Sequence, residues 1–274
     1  MIDTLLTNLN YDFVRNALLA GSLAAVLGAI VGYFVIIRHV SFAAHALSHI
    51  GFTGATGAAI LGLSPLQGML LLTIASGIFM GATGEKLHRS DIAIGMVFSV
   101  SLGLGTLFLS LYSGFAGQAV AILFGNIFGV AEDQIGEMAI LALLSLGGLS
   151  VFSRRLFFAS TQPTLAEARG LSLGRLSIAF MVVLAVSVTL ASQIVGVLLV
   201  FTLIIAPAGI ALRLCRSFWS GIFVSCGLGI AAVWMGILLA CATDRPVTFW
   251  ITSLFFILYI LTEAYCRFIR KSDR

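Results

Sequence analysis

His45 and His49 stand four residues apart in a stretch, Ser41 to Leu63, that otherwise has the composition of a membrane span. On an α-helix four residues advance by about 400° and roughly 6 Å, so both imidazoles leave nearly the same face. Polar side chains at membrane depth face a bundle interior or a water-filled path. Two neutral imidazoles on one stripe can hold a transition-metal ion, because imidazole suits zinc, copper, nickel and iron(II). The competing reading makes both histidines core residues, bonded to Ser41, Ser48 or Thr53. An intramembrane metalloenzyme is a third reading, and it lacks its general base. A zinc peptidase has Glu beside the first His, whereas Ala46, Leu47 and Ser48 intervene here. Asp91 and Glu263 fall near helix ends, so no enzyme is expected.

The elements that must carry this pair are membrane helices. The 274 residues are 60% hydrophobic and 9% charged, and mean hydropathy is +1.12, which excludes a water-soluble domain of this length. The 29 glycines and four prolines lie within apolar runs, as in close helix packing in lipid and unlike β-barrel alternation. The expected fold is all-α, a polytopic transmembrane helix bundle forming a single domain over residues 1–274. No basic segment precedes a cleavable small-residue site at the N-terminus, so a removed signal peptide is not expected. Cys215, Cys226, Cys241 and Cys266 are scattered singly, which suits small buried hydrophobes better than disulfides or thiolate zinc.

Spanning-length runs predict about nine helices, with eight the alternative, near 16–37, 41–63, 66–84, 91–112, 134–153, 175–192, 195–212, 218–242 and 247–266. Breaks fall at Ser64-Pro65, Gly84 to Ser90, Tyr112 to Gly114 and Asp244 to Pro246. Gln118 to Val130 is apolar but too short to span, and reads as a partial or re-entrant helix. With the C-terminus cytoplasmic, thirteen of the fifteen basic residues fall inside and only Arg15 and Arg245 outside, satisfying the positive-inside rule. The net charge of +4 therefore reports topology and not nucleic-acid binding. An odd number of spans puts the N-terminus outside.

The longest inner loop, Arg154 to Arg175, contains Thr164 as an N-cap, Glu167 as its capping-box partner and Gly170 as a stop. A short cytoplasmic helix fits that chemistry, and so does a plain connector. Gly81 to Lys86 has glycines and a lysine but lacks the Gly-Lys-Ser/Thr ending that cradles phosphate, so the chain carries no ATP site of its own. His39 and His88 adjoin basic loop residues and read as solvated interfacial positions. Pro207 lacks a backbone N–H and is expected either to kink or break the helix around it or simply to serve packing geometry.

Four stretches in order resemble the permease subunits of bacterial ABC transporters that import zinc, manganese or iron. Arg38 to Phe42 followed by His45-Ala46-Leu47-Ser48-His49 is similar to that family's basic-Ser-x-x-Gly-Asp-Ala-Leu-Ser-His stretch. Asp91 to Ser99 resembles its Gly-centred segment, and Leu123-Phe124-Gly125-Asn126-Ile127 its Leu-Phe-Gly-Asp-Ile. Val195 to Val200 leading to Ile205-Ala206-Pro207-Ala208 resembles its Val-Gly-x-Leu-Leu-Val and Ile-Pro-Ala-Ala pair. The resemblance runs from about residue 13 to 268.

The resemblance implies a multi-pass protein of the bacterial cytoplasmic (inner) membrane. It would work with an ATP-binding subunit, a second permease copy in a homodimer and an extracytoplasmic metal-binding protein. No cofactor is permanently bound, and ATP sits on the partner subunit only. It also implies that Thr164, Leu165, Ala166, Glu167, Ala168, Arg169 and Gly170 form the coupling helix that docks on the ATPase. The chain departs from the family in having His45 where Asp is common, Ala44 where Gly is, and Asn126 where Asp is. A symmetric pair would then offer four imidazoles in place of two carboxylates and two imidazoles. Nitrogen donors favour zinc over manganese, with iron(II), copper and nickel still possible. Protonation at low pH would remove those lone pairs. A secondary metal transporter independent of an ATPase is the alternative, and it would need ionisable residues deep in the bilayer, which are scarce here.

Overall fold

The computed structural model describes residues 11–83, 90–111 and 116–272. Regular structure in them is helical throughout: α1 (Asp12–Ile37), α2 (Ser41–Leu61), α3 (Pro65–Thr83), α4 (Ser90–Leu111), α5 (Ala116–Phe124), a 3-10 turn (Ile127–Gly129), α6 (Glu132–Thr161), α7 (Pro163–Ala168), α8 (Leu173–Val195), α9 (Val197–Leu214), α10 (Phe218–Thr243) and α11 (Val247–Ser272). Only α5 and α7 are too short to cross a bilayer. Among the described residues eight helices combine spanning length with spanning hydropathy. The ninth long helix is α2, with 21 residues. Its two imidazoles and its hydroxyls lower its hydropathy, so the helix of chemical interest is the one that composition alone marks least clearly as a span.

Helices α1 and α8 form the middle of the bundle. α1 packs on α6, α8, α9 and α10, and α2 lies in a second group with α3 and α4. Lipid supplies no hydrophobic drive between helices, so they are held by close contact. Gly32 of α1 abuts the Ile204 carbonyl of α9, where an added methyl would take the place of the oxygen. Gly54 of α2 and Gly68 of α3 meet backbone to backbone, and Gly81 of α3 would bring a Cβ within 2.7 Å of Ile178 Cα on α8. Buried hydroxyls tie the same seams: Thr73 to Thr189 at 2.9 Å across α3 and α8, and Ser145 to Ser187 at 3.1 Å across α6 and α8. Each pair satisfies groups that would otherwise be unpaired in a dry interior.

Two expectations need correction. Helix α6 does not end near residue 153 but runs 30 residues to Thr161. The exposed Arg154 and Arg155 end the apolar run, but arginine is a good helix former, so the helix continues beyond it. The inner loop is accordingly short, with Gln162 alone between α6 and α7. Secondly, Thr164 is not the N-cap of α7. Gln162 takes that position, Pro163 occupies the first helical site with its φ already suitable, and no side chain caps the helix. Gly170 does stop it: at φ 79° its N–H donates to the Glu167 carbonyl while Leu171 donates to that of Ala166, a Schellman ending. Pro207 lies inside α9 without ending it, and the interruption between α8 and α9 falls at Gly196.

Close contact makes a discriminating prediction. Gly32→Ala should lower stability by about 1–3 kcal/mol through overpacking against Ile204. Gly103→Ala, which would place its methyl in open space, should leave the melting temperature unchanged or slightly raised. Thermal unfolding in detergent, followed by circular dichroism, measures both. Equal losses in the two variants would contradict the packing account.

A histidine pair walled by aromatic rings

The chain turns from α1 into α2 through residues 38–40, with His39 exposed at φ 57°. Histidine is among the side chains that tolerate this left-handed region. His45 and His49 follow at about 6 and 12 Å along α2 from its first residue, in the cytoplasmic half of the span on the expected topology. Their ring centroids are 4.8 Å apart at an interplanar angle of 74°. With bonds of about 2.0–2.1 Å, two imidazoles on one tetrahedral ion put their centroids roughly 5 Å apart. The pair thus has the spacing of two ligands of one metal.

Two of the three hydroxyls weighed as alternative partners, those of Ser48 and Thr53, donate elsewhere. Ser48 Oγ donates to the His45 carbonyl at 2.7 Å, and Thr53 Oγ1 donates to the Ser101 carbonyl at 2.7 Å. Nδ1 of His45 is buried and has no hydrogen-bond partner among the described residues. An orphaned ring nitrogen is costly in a low-dielectric interior unless something ligates it. His45 is therefore not a core histidine satisfied at Nδ1 by its neighbours.

The walls are aromatic. Phe98 of α4 lies 6.0 Å from the His45 ring and 5.4 Å from that of His49. Phe201, one turn into α9, lies 5.2 Å from His45 at 75°. Neither ring offers an acceptor to imidazole N–H. Sequence reasoning missed both, because a phenylalanine in an apolar run carries no signal of its own. Phe98 stands within the 91–99 stretch and Phe201 directly follows the 195–200 stretch, which were noted for other reasons.

On the expected topology a second set of close contacts lies toward the outer half. The stretch 118–130, expected as a partial or re-entrant helix, falls in the short α5, a turn at Gly125 (φ 80°) and the 3-10 turn. Ile127 packs beside Gly21, about 13 Å along α1 from its first residue. Gly125 meets the backbone of Val195 and Gly196, and Gly196 takes φ 85°. Both glycines combine a left-handed backbone with a contact that leaves no room for a Cβ. Below them Phe52 and Val197 pack with Ile122 and Leu123. An outer cavity of about 390 Å³ opens over this elbow, lined by Asn126, Ile127, Val195, Leu199 and Arg245 among others. Asn126 thus lies at the outer turn, well away from the histidines along the chain path, and lines that cavity.

At the inner end, α7 rests on the bundle through fully buried Ala166 and leaves Leu165 44% exposed. The Arg169 guanidinium sits 5.4 Å from the Phe158 ring. Glu263 of α11 pairs with Arg213 of α9 and with Arg267, the latter at 3.1 Å. His88 and the Gly84–Lys86 part of the glycine-lysine stretch lie outside the described residues.

The chain is similar to known membrane transport proteins over nearly its whole length. The sequence model of the ABC 3 transport family matches residues 10–265. The manganese import system permease protein ScaB of Streptococcus gordonii is 31% identical over 229 residues, covering 83% of this chain and 82% of the relative. A probable iron transport system membrane protein of Haemophilus influenzae is 28% identical, covering 97% and 98% of the two chains. The solved structure of PsaBC from Streptococcus pneumoniae in complex with Fab has a chain that superposes with a TM-score of 0.84 at 27% identity, covering 96% of this chain and 95% of its own.

If the Gly125–Gly196 contact closes the outer half, a cysteine at Val197 should be unreactive to membrane-impermeant maleimide in a cysteine-free background. Adding Gly125→Ala, which forces a methyl against the Val195 carbonyl, should expose it to labelling from outside. Unchanged labelling would detach the two glycines from the closure.

Proposed function

The chain belongs to the ABC 3 transport family, and from that premise we propose that it is the transmembrane permease subunit of an importer for a divalent transition metal, with zinc the preferred cargo. As a multi-pass transport permease it is not an enzyme. The observation that carries the cargo assignment is the His45–His49 pair, 4.8 Å apart with a buried, unpartnered nitrogen. The relatives named for manganese and iron support a metal cargo in general. His45, standing where the family commonly has Asp, shifts the donor set toward nitrogen and so toward zinc or iron(II) and away from manganese. In a homodimer the pair would occur twice, giving the ion four imidazoles around a symmetry axis.

The remaining parts fall into an alternating-access cycle. An extracytoplasmic binding protein delivers the ion to the outer face. His45 and His49 hold it only transiently, since tight binding would prevent release. ATP on the partner subunits closes them and moves the coupling helix, Thr164 to Gly170. The exposed Leu165 is the apolar knob for that docking surface, and buried Ala166 transmits the motion to the bundle. Pro207 supplies no N–H to the Leu203 carbonyl, which lies beside Gly28. That missing bond makes α9 the helix best able to bend as access switches.

Proteoliposomes holding this chain, its ATPase subunit and its loaded binding protein test the reading. Zinc uptake should require ATP and fall about tenfold or more in His45→Ala/His49→Ala. His45→Asp should raise the manganese-to-zinc uptake ratio, since carboxylate oxygen suits manganese. Uptake independent of ATP would point to a secondary transporter, and an unchanged ratio would sink the donor argument. Leu165→Ser should leave basal ATP hydrolysis by the partner intact while reducing ATP-dependent uptake.

A further inference from the structure

Resting on the reading that His45 and His49 hold the transported ion, we propose that Phe98 of α4 is the positioning residue that sets their mutual geometry. Thr53 is the latch that keeps Phe98 in register. Residues 45, 49, 53 and 57 recur every fourth position and so form one stripe on α2. Opposite this stripe α4 presents Phe98, Ser101, Gly105 and Phe108. Phe98 faces both imidazoles. Thr53, fully buried, donates its hydroxyl to the Ser101 carbonyl at 2.7 Å. At Gly105 an added Cβ would stand 2.8 Å from Thr53 Oγ1, and Phe108 lies 3.0 Å from the position of a Cβ on Gly57. The register of the two helices is therefore fixed at four successive levels.

Little else holds α4 in that register. Its other face exposes Ile92, Met96, Val100, Leu104 and Leu107, and its main neighbour is α2, with α3 the lesser one. The α2 seam is thus what decides where Phe98 stands. Of the two rings that wall the histidines, Phe201 contacts His45, whereas Phe98 contacts both. It is the one aromatic group able to hold both imidazoles at a fixed mutual angle. Being without an acceptor, it does so by shape and leaves their nitrogens to the ion. A metal-bound imidazole is ordinarily oriented by a hydrogen bond from its second nitrogen, and removing such support weakens metal binding by about 10–100-fold. Here the orienting part is played by a phenylalanine ring, which also excludes the water that would complete an octahedral shell. The site accordingly selects ions that accept four nitrogen donors.

Cobalt(II) is the probe, because its visible absorption is intense in four-coordinate sites and weak in octahedral ones. The permease co-purified with its ATPase subunit in lipid nanodiscs should give the intense spectrum. In Phe98→Ala that intensity should fall and the apparent dissociation constant should rise about tenfold. Thr53→Val, which touches neither imidazole and keeps the side-chain shape, should move both readouts in the same direction by less. It carries the test if Phe98→Ala does not assemble. Wild-type spectra and affinities in Phe98→Ala and Thr53→Val, with binding lost in His45→Ala/His49→Ala, would overturn the role of Phe98 and leave the histidine site standing. A wild-type spectrum in the double histidine variant would remove the site itself, and this proposal with it.

Discussion

The structure depends on keeping the polar stripe of one helix out of contact with lipid. α2 carries two imidazoles, one of which has a buried nitrogen without a partner, and several hydroxyls. In the hydrocarbon layer an unsatisfied polar group costs several kcal/mol, on the order of a sizeable fraction of a domain's net stability. No choice of rotamer removes that cost, so the surrounding helices must form a wall. The wall is built from α3 through the Gly54–Gly68 contact, from α4 through the Thr53–Ser101 bond, and from α9 through Phe201. The same polarity that lowers the hydropathy of α2 therefore dictates which helices surround it.

Glycine provides the second constraint, in two distinct ways. At Gly32 and Gly54 it allows helices to approach until backbone meets backbone, which takes the place of the missing hydrophobic drive. At Gly125 and Gly196 it supplies a positive φ as well, and the two residues meet each other. The turn after α5 and the α8–α9 elbow consequently share one contact. Neither could be moved alone without opening a void or forcing an overlap. The elbow in turn starts α9, and Phe201 follows it by five residues, so this contact and the histidine wall are mechanically adjacent.

Much of this was legible in the residues. Membrane class and the helical bundle follow from hydropathy, the short α5 from a run too short to span, and the shared face of His45 and His49 from a spacing of four. The inner-loop segment 164–170 was legible as a short helix ended by Gly170, but not its start. Thr164 and Glu167 have the pattern of a capping box, yet Pro163 just ahead supplies a pre-set φ at the first helical position and wins locally. The end of α6 was misjudged for a different reason: a pair of arginines limits the membrane run but not the helix. The aromatic wall was invisible, since its rings come from helices far apart in sequence and their meeting is a property of packing alone.

On the proposed reading, charge distribution gives a further physical reason why the histidine pair would suit passage over storage. The expected outer side carries Asp12, Glu132, Asp133, Glu137 and Asp244 against Arg15 and Arg245, while the inner side holds most of the basic residues. The outer surface thus raises the local concentration of cations, and the inner surface repels them. A cation taken from the outer face meets no carboxylate on the His45–His49 face of α2, only neutral nitrogen. A carboxylate there would deepen the well by direct charge attraction in a low-dielectric surrounding, where such attraction is strong. Neutral imidazoles hold by ligation alone, so the ion can be exchanged for water or for inner-side ligands without separating opposite charges. On the proposed reading, ligation without charge pairing is what lets the ion leave toward the inner side.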